Sequence, residues 1–317
     1  MNAIGVDVGG TKIAAGVVTP GGEILDEVRY PTPHSPGTLV ETIVRAVTEV
    51  GEGYEAAGAC LAVPGLVLAR ENKVVFSPNL HAVEGIPLKD EVEPRIGLPL
   101  TLENDGNAAA WGEFRFGVGS EADHLVFVTL GTGIGGGVIT HGVLMRGAQG
   151  SGGELGHVTI QATGPRCACG NHGCLEALAS GTAIARRARE LAIENPNSAL
   201  GRLATRRQIL GEDVTELARE GDAVALSVLD ETGRWLGVGL AGFVNIFNPE
   251  VVAVGGGAME AGELILGAAR REVALRARPP SRDLAEVKVA TLGPRSGVLG
   301  AAALARDASS GEYLLGG

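Results

Sequence analysis

The chain opens with "AIGVDVGG", a short apolar run closed by two glycines, and from His124 it begins again with "HLVFVTLGTG". In each half a glycine-punctuated strand leads into another strand, then into helical stretches and a further buried strand. The first half continues through "KIAAGVVTP" and "EILDEVRYPT" as a three-stranded antiparallel meander. A helical pattern from Leu39 to Val50 follows, then the strand "AAGACLAV", a helix near "LKDEVEPRIG", the strand "LPLTLEN" and the helix "NAAAWGEFRFG". The second half carries "GGGVITHGVLM", long helices and the strand "EVVAVGGG", and it closes on the strand "VKVATLG" and the helix "GVLGAAALARDA". Among its helices, "TAIARRARELA" has a charged face and the stretch from Asp213 to Asn245 an apolar body, whereas "IENPNSALGRLATRRQ" reads as a loop. A repeated order of this kind predicts an α/β chain of two similar domains. The 317 residues, 45% of them apolar, supply core for both.

Charge and composition exclude several classes of partner. The net charge of −11 is spread along the chain and aromatics make up 3%, so neither a phosphate backbone nor a stack of bases finds a footprint, and nucleic acid is not expected as a partner. No run reaches the ~18 apolar residues of a membrane span. The nearest, "WLGVGLAGFVNIF", is interrupted by Asn245 and Asn248. The start "MNAIGVDVGG" lacks the basic and apolar regions of a secretory signal, so a cytoplasmic protein is expected. Fifty glycines without a collagen-like period point to many tight turns and to backbone that approaches a ligand closely.

Three of the four cysteines fall in "CACGNHGC", as Cys167, Cys169 and Cys174, with His157 ten positions upstream of the first. Cys60, in "AAGACLAVPG", reads as a small core residue. A zinc set, reactive thiols and inert core all fit the other three, and the ligand count favours zinc, because three thiolates and an imidazole make a closed tetrahedral site. Such a site leaves no position for substrate, so its metal would be structural.

The glycine turns resemble two phosphate motifs and are neither. In "GVDVGGTK", Thr11 precedes Lys12 and a strand follows, which inverts the P-loop order; "GTGIGG" at Gly131–Gly136 matches G-x-G-x-x-G but also leads into a strand. What remains is a pair of glycine-rich strand-to-strand turns, each able to offer backbone N–H groups and a hydroxyl, from Thr11 or Thr132, to phosphate oxygens. A plain turn is the competing reading of each. A third run, "GGG" at Gly255–Gly257, stands at the carboxyl end of a buried strand, where α/β sheets bind ligands.

The carboxylates complete the candidate set. Glu103, Asn104 and Asp105 sit at the end of the strand "LPLTLEN" just before a helix. Helix capping accounts for one such residue. Three in succession exceed what a cap requires, and a carboxylate there can take a hydroxyl proton while Asn104 orients the same substrate. Glu154, His157 and Glu176 bracket the cysteine loop, so a metal pinning that loop would fix them for a polyhydroxylated ligand.

Together "GVDVGGTK", "LEND", "LVFVTLGTGIGGGVITHGVLMRGAQGSGGELGH" and "CACGNHGCLE" resemble the ROK family of sugar kinases, repressors and related proteins, over essentially the whole chain. Within the family the sequence is most similar to bacterial ATP-dependent glucokinases. The resemblance implies an actin-like, ribonuclease H-like fold of two α/β domains around a central cleft. Residues 1–117, with the returning helix 298–317, would form one domain, and residues 118–297, with the zinc loop, the other. It implies Asp105 as the base that deprotonates the sugar 6-hydroxyl. Asn104, Glu154, His157 and Glu176 would bind sugar, with Gly65 and Asn79 as neighbours. His157, Cys167, Cys169 and Cys174 would hold zinc. Asp7, Gly9, Gly10, Thr11, Lys12, Thr132 and Gly133 would face the phosphates and Mg²⁺ of MgATP, and Gly256 the nucleoside.

The expected reaction is in-line transfer of the γ-phosphoryl of MgATP to O6 of glucose by a homodimer or homotetramer. Other acceptors (N-acetylmannosamine, mannose, fructose, allose) and polyphosphate as donor stay open. So does a sugar sensor that binds without turnover. The family's repressors carry a winged helix-turn-helix, for which a phosphate motif beginning at Gly5 leaves no room ahead of it.

Overall fold

Strands β1 (Asn2–Val8) and β2 (Lys12–Val18) show almost no alternation of burial, because helices cover both faces of the sheet they sit in. The structure, a computed structural model, describes residues 1–68, 71, 73–77 and 80–310. The expected sugar neighbour Asn79 lies outside the described residues.

Contacts divide the chain into two compact units. One comprises Met1–Phe127, Gly137–Gly153 and the described part of Thr291–Gly317; the other comprises Val128–Gly136 and Glu154–Ala290. The first unit starts with β1, β2 and β3 (Ile24–Pro31), then α1 (Pro36–Gly51), β4 (Ala56–Val63), the small ribbon β5 (Leu66–Leu68) and β6 (Lys73–Phe76), α2 (Leu88–Ile96), β7 (Leu100–Asn104) and α3 (Asp105–Phe116). Its sheet has the order β3-β2-β1-β4-β7. The first three strands are antiparallel, with Val6 opposite Ala15, and β4 and β7 join in parallel, with Val6 opposite Leu61 and Leu61 opposite Leu102. Ile4, Val6 and Val8 share one core with Leu39, Ile43 and Val47 of α1. Gly5, on the other face, lies so close to α11 (Ser296–Ser310) that a Cβ there would fall 1.9 Å from the Val298 carbonyl oxygen.

Strands β8 (Leu125–Leu130) and β9 (Ile134–Thr140) run from one unit into the other, and β10 (Val143–Leu144) pairs antiparallel with β9. Next come α4 (Leu175–Ala179), α5 (Gly181–Glu194), α6 (Ala199–Ala204), α7 (Gly211–Arg219), α8 (Ala223–Phe247), β11 (Val251–Gly255), α9 (Glu263–Arg276), α10 (Ser281–Leu284) and β12 (Glu286–Val289). The second sheet has the order β10-β9-β8-β11-β12, with β11 and β12 parallel. Written by position, both sheets read 3-2-1-4-5, so the repeat seen in the sequence is a repeat of topology.

Two sequence expectations need correction. The stretch from Asp213 to Asn245 is two helices rather than one. Gly221 takes φ +90° and the Asp222 carboxylate accepts from the backbone N–H groups of Val224 and Ala225, which ends α7 and starts α8. The polar run expected as loop contains α6, nucleated where Ser198 Oγ accepts from the Gly201 N–H at 2.8 Å. Cys60 is wholly buried as expected, and burial pushes its thiol pKa up to about 12. Among the described residues no helix is long and apolar enough to cross a membrane.

Candidate active site and metal centre

In the first unit, β7 delivers its last residue, Asn104, as the N-cap of α3, whose first residue is Asp105. Asn104 does cap the helix: its Oδ1 accepts from the Asn107 N–H at 3.0 Å. Its amide nitrogen has two further partners, the Gly65 carbonyl at 3.0 Å and Asp105 Oδ1 at 3.1 Å. The same Asp105 oxygen accepts from the Gly106 N–H at 2.9 Å. The carboxylate is therefore oriented at a helix N-terminus, where negative charge is favoured. Gly65 reaches Asn104 only because it takes φ +106°; a Cβ there would lie 2.1 Å from the Phe76 carbonyl oxygen. Glu103, adjacent in sequence, points inward and is fully buried, so it is unavailable to a substrate.

Also in the first unit, the turn between β1 and β2 is closed by a bond from the Gly9 N–H to the Lys12 carbonyl at 2.9 Å. Thr32 braces it twice: its hydroxyl donates to the Gly9 carbonyl at 2.6 Å and its N–H to the Thr11 carbonyl at 3.1 Å. Thr11 and Lys12 stay exposed and Gly10 half-buried, so the turn is rigid while its polar groups face outward. Behind it Asp7 is half-buried; burial raises its carboxyl pKa and the nearby Lys12 charge pulls it partly back.

In the second unit, the turn between β8 and β9 is closed by the Gly131 N–H donating to the Gly133 carbonyl at 2.9 Å. It is tied to α5: the Thr182 hydroxyl donates to the Thr132 carbonyl at 2.7 Å, and the Gly181 N–H to the Gly131 carbonyl at 2.9 Å. A cavity of about 500 Å³ opens beside it, between Thr132, the N-terminal turns of α5, Leu210 at the entry to α7, and Gly257. Leu210 is half-exposed there, an apolar surface suited to a flat ring. Gly256 stands next to the cavity with φ +89°, and a Cβ on it would lie 2.4 Å from the Leu130 carbonyl oxygen. Of the residues at this cavity the sequence singles out Thr132 and, beside it, Gly256, but not Thr182 or Leu210. Thr182 had a signal in the "SGT" start of α5, where Ser180 caps Ala183; Leu210 had none.

The ligand atoms of His157, Cys167, Cys169 and Cys174 all lie within 4.8 Å of one another. Four atoms about 2.0–2.3 Å from a zinc ion at tetrahedral corners are roughly 3.5–3.8 Å apart. Cys169 Sγ and Cys174 Sγ are 3.8 Å apart, and Cys167 Sγ and His157 Nδ1 are 3.7 Å apart. The donor chemistry fits as well. Burial pushes the Cys167 and Cys174 thiols up, while the Asn171 N–H draws Cys169 down, so full ionisation of the set calls for a cation. With Nδ1 turned to the sulfurs, His157 Nε2 points the other way, 4.0 Å from a Glu154 carboxylate oxygen. Burial raises the Glu154 pKa, with His157 opposing and Glu176 adding to the shift. Glu176, one residue into α4, accepts the Ile134 N–H at 3.0 Å on one oxygen and the Cys167 thiol at 3.4 Å on the other. It also packs against Gly133, where a Cβ would fall 2.3 Å from its Oε2. The cysteine loop and the β8–β9 turn thus share one carboxylate.

The model of the ROK family matches residues 3–308. A glucokinase of Streptomyces coelicolor is 41% identical over 96% of this chain and 97% of its own. The crystal structure of a ROK family glucokinase from Streptomyces griseus in complex with glucose and AMPPNP superposes with a TM-score of 0.83 at 42% identity, covering 97% of this chain and 100% of that one. A xylose repressor of Bacillus subtilis is also similar, 33% identical over 96% of this chain and 77% of its own. The duplicated 3-2-1-4-5 sheet is the actin-like, ribonuclease H-like fold of the family's sugar kinases. With a family match that runs almost end to end, the chain belongs to the ROK family.

Proposed function

We propose that the protein is an ATP-dependent hexose kinase of the cytoplasm that transfers the γ-phosphoryl group of MgATP to the 6-hydroxyl of glucose. The observation that carries the reading is the Asn104–Asp105 pair, a carboxylate fixed at a helix N-terminus by an amide that is itself held by Gly65. Asp105 accepts the hydroxyl proton as O6 attacks the γ-phosphorus, the bond to the β-bridging oxygen breaks, and ADP departs. Asn104 orients the acceptor hydroxyl, with Gly65 as its neighbour. Glu154, His157 and Glu176 accept or donate at further sugar hydroxyls. The rigid turn Gly9–Lys12 and the turn at Thr132 and Gly133 offer N–H groups and hydroxyls to the phosphates, with Asp7 toward Mg²⁺. The 500 Å³ cavity, next to Gly256, takes the nucleoside. Bound magnesium supplies charge neutralisation at the phosphates. Catalysis of this kind lies in positioning and charge stabilisation, which suits braced turns and a fixed base.

Zinc on His157, Cys167, Cys169 and Cys174 holds the loop that carries His157 and Glu176, so its role is structural. The similarity to glucokinases supports glucose as acceptor. That to a xylose repressor keeps a non-catalytic sugar sensor as the second reading. Size-exclusion chromatography with light scattering tests the homo-oligomer that we also assign.

A coupled assay of ADP release decides between them, run with MgATP over glucose, mannose, fructose, N-acetylmannosamine and N-acetylglucosamine against a no-sugar control. The expected result is a preference for glucose, lost about 10²–10⁴-fold in kcat in Asp105→Asn with glucose binding retained. Near-normal turnover in that variant would remove Asp105 as the base. Sugar binding by the wild type without turnover would make the protein a sensor.

A further inference from the structure

A buried ion pair next to the proposed base takes part in no step described so far. Glu103 is 1% exposed and Arg146, just beyond β10, is 9% exposed. Arg146 Nε donates to Glu103 Oε2 at 2.7 Å. The other Glu103 oxygen, Oε1, accepts from the Asn104 backbone N–H and from the Asn107 side-chain amide, each at 3.0 Å. Asn107 is itself 1% exposed, and its backbone N–H donates to Asn104 Oδ1. One chain of hydrogen bonds therefore runs from Arg146 through Glu103 to the Asn104 backbone and to Asn107, which holds the Asn104 side chain, and from Asn104 Nδ2 to Asp105 Oδ1 at 3.1 Å. The Arg146 carbonyl also accepts from the Gly152 N–H at 2.8 Å, so the guanidinium sits on a closed loop and not on a free strand end.

A pair of charges so deeply buried gains little stability over apolar side chains of the same volume, because its desolvation cost offsets the attraction. Apolar side chains would, however, leave the Asn104 N–H and the Asn107 amide without their acceptor. We infer that Glu103 and Arg146 are positioning residues for phosphoryl transfer. Glu103, through Asn107, fixes the rotamer of Asn104, and through it the direction of the Asp105 carboxylate; Arg146 holds the Glu103 carboxylate in place. The inference rests on the reading of Asp105 as the base.

The test uses the full-length enzyme and four variants, Glu103→Gln, Arg146→Lys, the double variant Glu103→Gln/Arg146→Met, and Asp105→Asn as reference. For each, the folded fraction is measured by thermal melting, and kcat and KM for glucose and for ATP are measured per folded molecule. Misplacing a reacting group by about 1 Å costs on the order of 10²-fold. The double variant is therefore expected to lose about 10–100-fold in kcat while the KM for ATP stays within about twofold. Arg146→Lys, which keeps the charge, should recover part of that loss. A purely structural pair would lower only the melting temperature and the folded fraction. A kcat per folded molecule within about threefold of wild type in the double variant overturns the inference, as does a KM for ATP that rises in step with the loss. If the double variant does not fold, Glu103→Gln alone decides by the same criteria, since it keeps the shape and one acceptor oxygen. If Asp105→Asn turns over normally, the reading of the base has failed; if Asp105→Asn is inactive and the pair variants are normal, the inference alone has failed.

Discussion

Glu113 is the side chain whose removal should hurt the fold most for its size. It lies fully buried in α3 and accepts from two separate segments. Its Oε1 takes the Leu292 N–H at 2.7 Å, and its Oε2 takes the Val118 N–H at 3.2 Å, the Thr291 N–H at 3.2 Å and the Thr291 hydroxyl at 3.4 Å. These bonds anchor the backbone that leaves α3 and the backbone that enters α11. In Glu113→Gln the amide oxygen can serve the three donors at Oε2, but its NH₂ then faces the Leu292 N–H. The variant forfeits the shortest bond to a charged acceptor, worth about 1.5–3 kcal/mol. Glu113→Ala abandons all of them and opens a void, so about 3–5 kcal/mol is expected.

The chain's two tryptophans provide the assay, because Trp111 sits in α3 and Trp235 in α8, one in each unit. Urea unfolding followed by fluorescence in Trp235→Phe and Trp111→Phe backgrounds, each compared with its own parent, reports the two units separately. The Trp111 transition should move by the stated amounts and the Trp235 transition by less. A Glu113→Gln shift under about 0.5 kcal/mol, or an alanine variant no worse than the glutamine one, would refute the reasoning.

Three further outcomes are expected. Elemental analysis of purified protein should find zinc at one ion per chain; Cys169→Ser or prolonged chelation should lower that content and the glucose affinity together, and metal-free protein with full affinity would contradict the assignment. Asp7 has a folded pKa raised by burial, so the stability it contributes is complete below the ordinary carboxylate range and is lost as pH rises through the raised value. Asp7→Asn should therefore raise the Tm more at pH 8 than at pH 4 while reducing turnover about 10²-fold or more, and an equal Tm change at both pH values would show the sign to be wrong. Gly256→Ala must place a Cβ 2.4 Å from the Leu130 carbonyl oxygen at φ +89°, whereas at Gly257 nothing lies within 4 Å. Chemical denaturation should show a loss of more than about 2 kcal/mol for the first and less than about 0.5 kcal/mol for the second.

The contrast between those neighbouring glycines bears on what a sequence can disclose. The run "GGG" was legible as the turn that ends a buried strand, because strand and glycines are contiguous. Which glycine is indispensable depends on Leu130, more than a hundred residues earlier. The same holds for α11: Gly300 would put a Cβ 1.6 Å from the Ala108 carbonyl oxygen, so this glycine serves helix packing rather than a turn or a ligand. The clustering of His157 with Cys167, Cys169 and Cys174 was readable since all four fall in one short stretch with chemistry few other residues share. The cavity beside the β8–β9 turn was readable only at Gly131, Thr132 and Gly257, because most of its other walls come from the starts of α5 and α7, distant in sequence and ordinary in composition. The break between α7 and α8 was visible in principle, as a glycine followed by a capping aspartate, but the apolar period on either side conceals so short an interruption.

Glu103 and Asp105 make the limit sharper, since they carry the same functional group two positions apart. In the sequence they were one polar cluster. In the fold, β7 turns Glu103 inward, and its charge is tolerated there because Arg146 arrives from another part of the chain at 2.7 Å. Asp105, one residue into the helix, takes its orientation from local donors, Gly106 and Asn104. Local signals therefore suffice to nominate the proposed base, and they overcount by naming its neighbour as well. The neighbour's role becomes visible only when its remote cation is seen, and that cation lies on a glycine-rich loop that the sequence presents simply as the approach to Glu154.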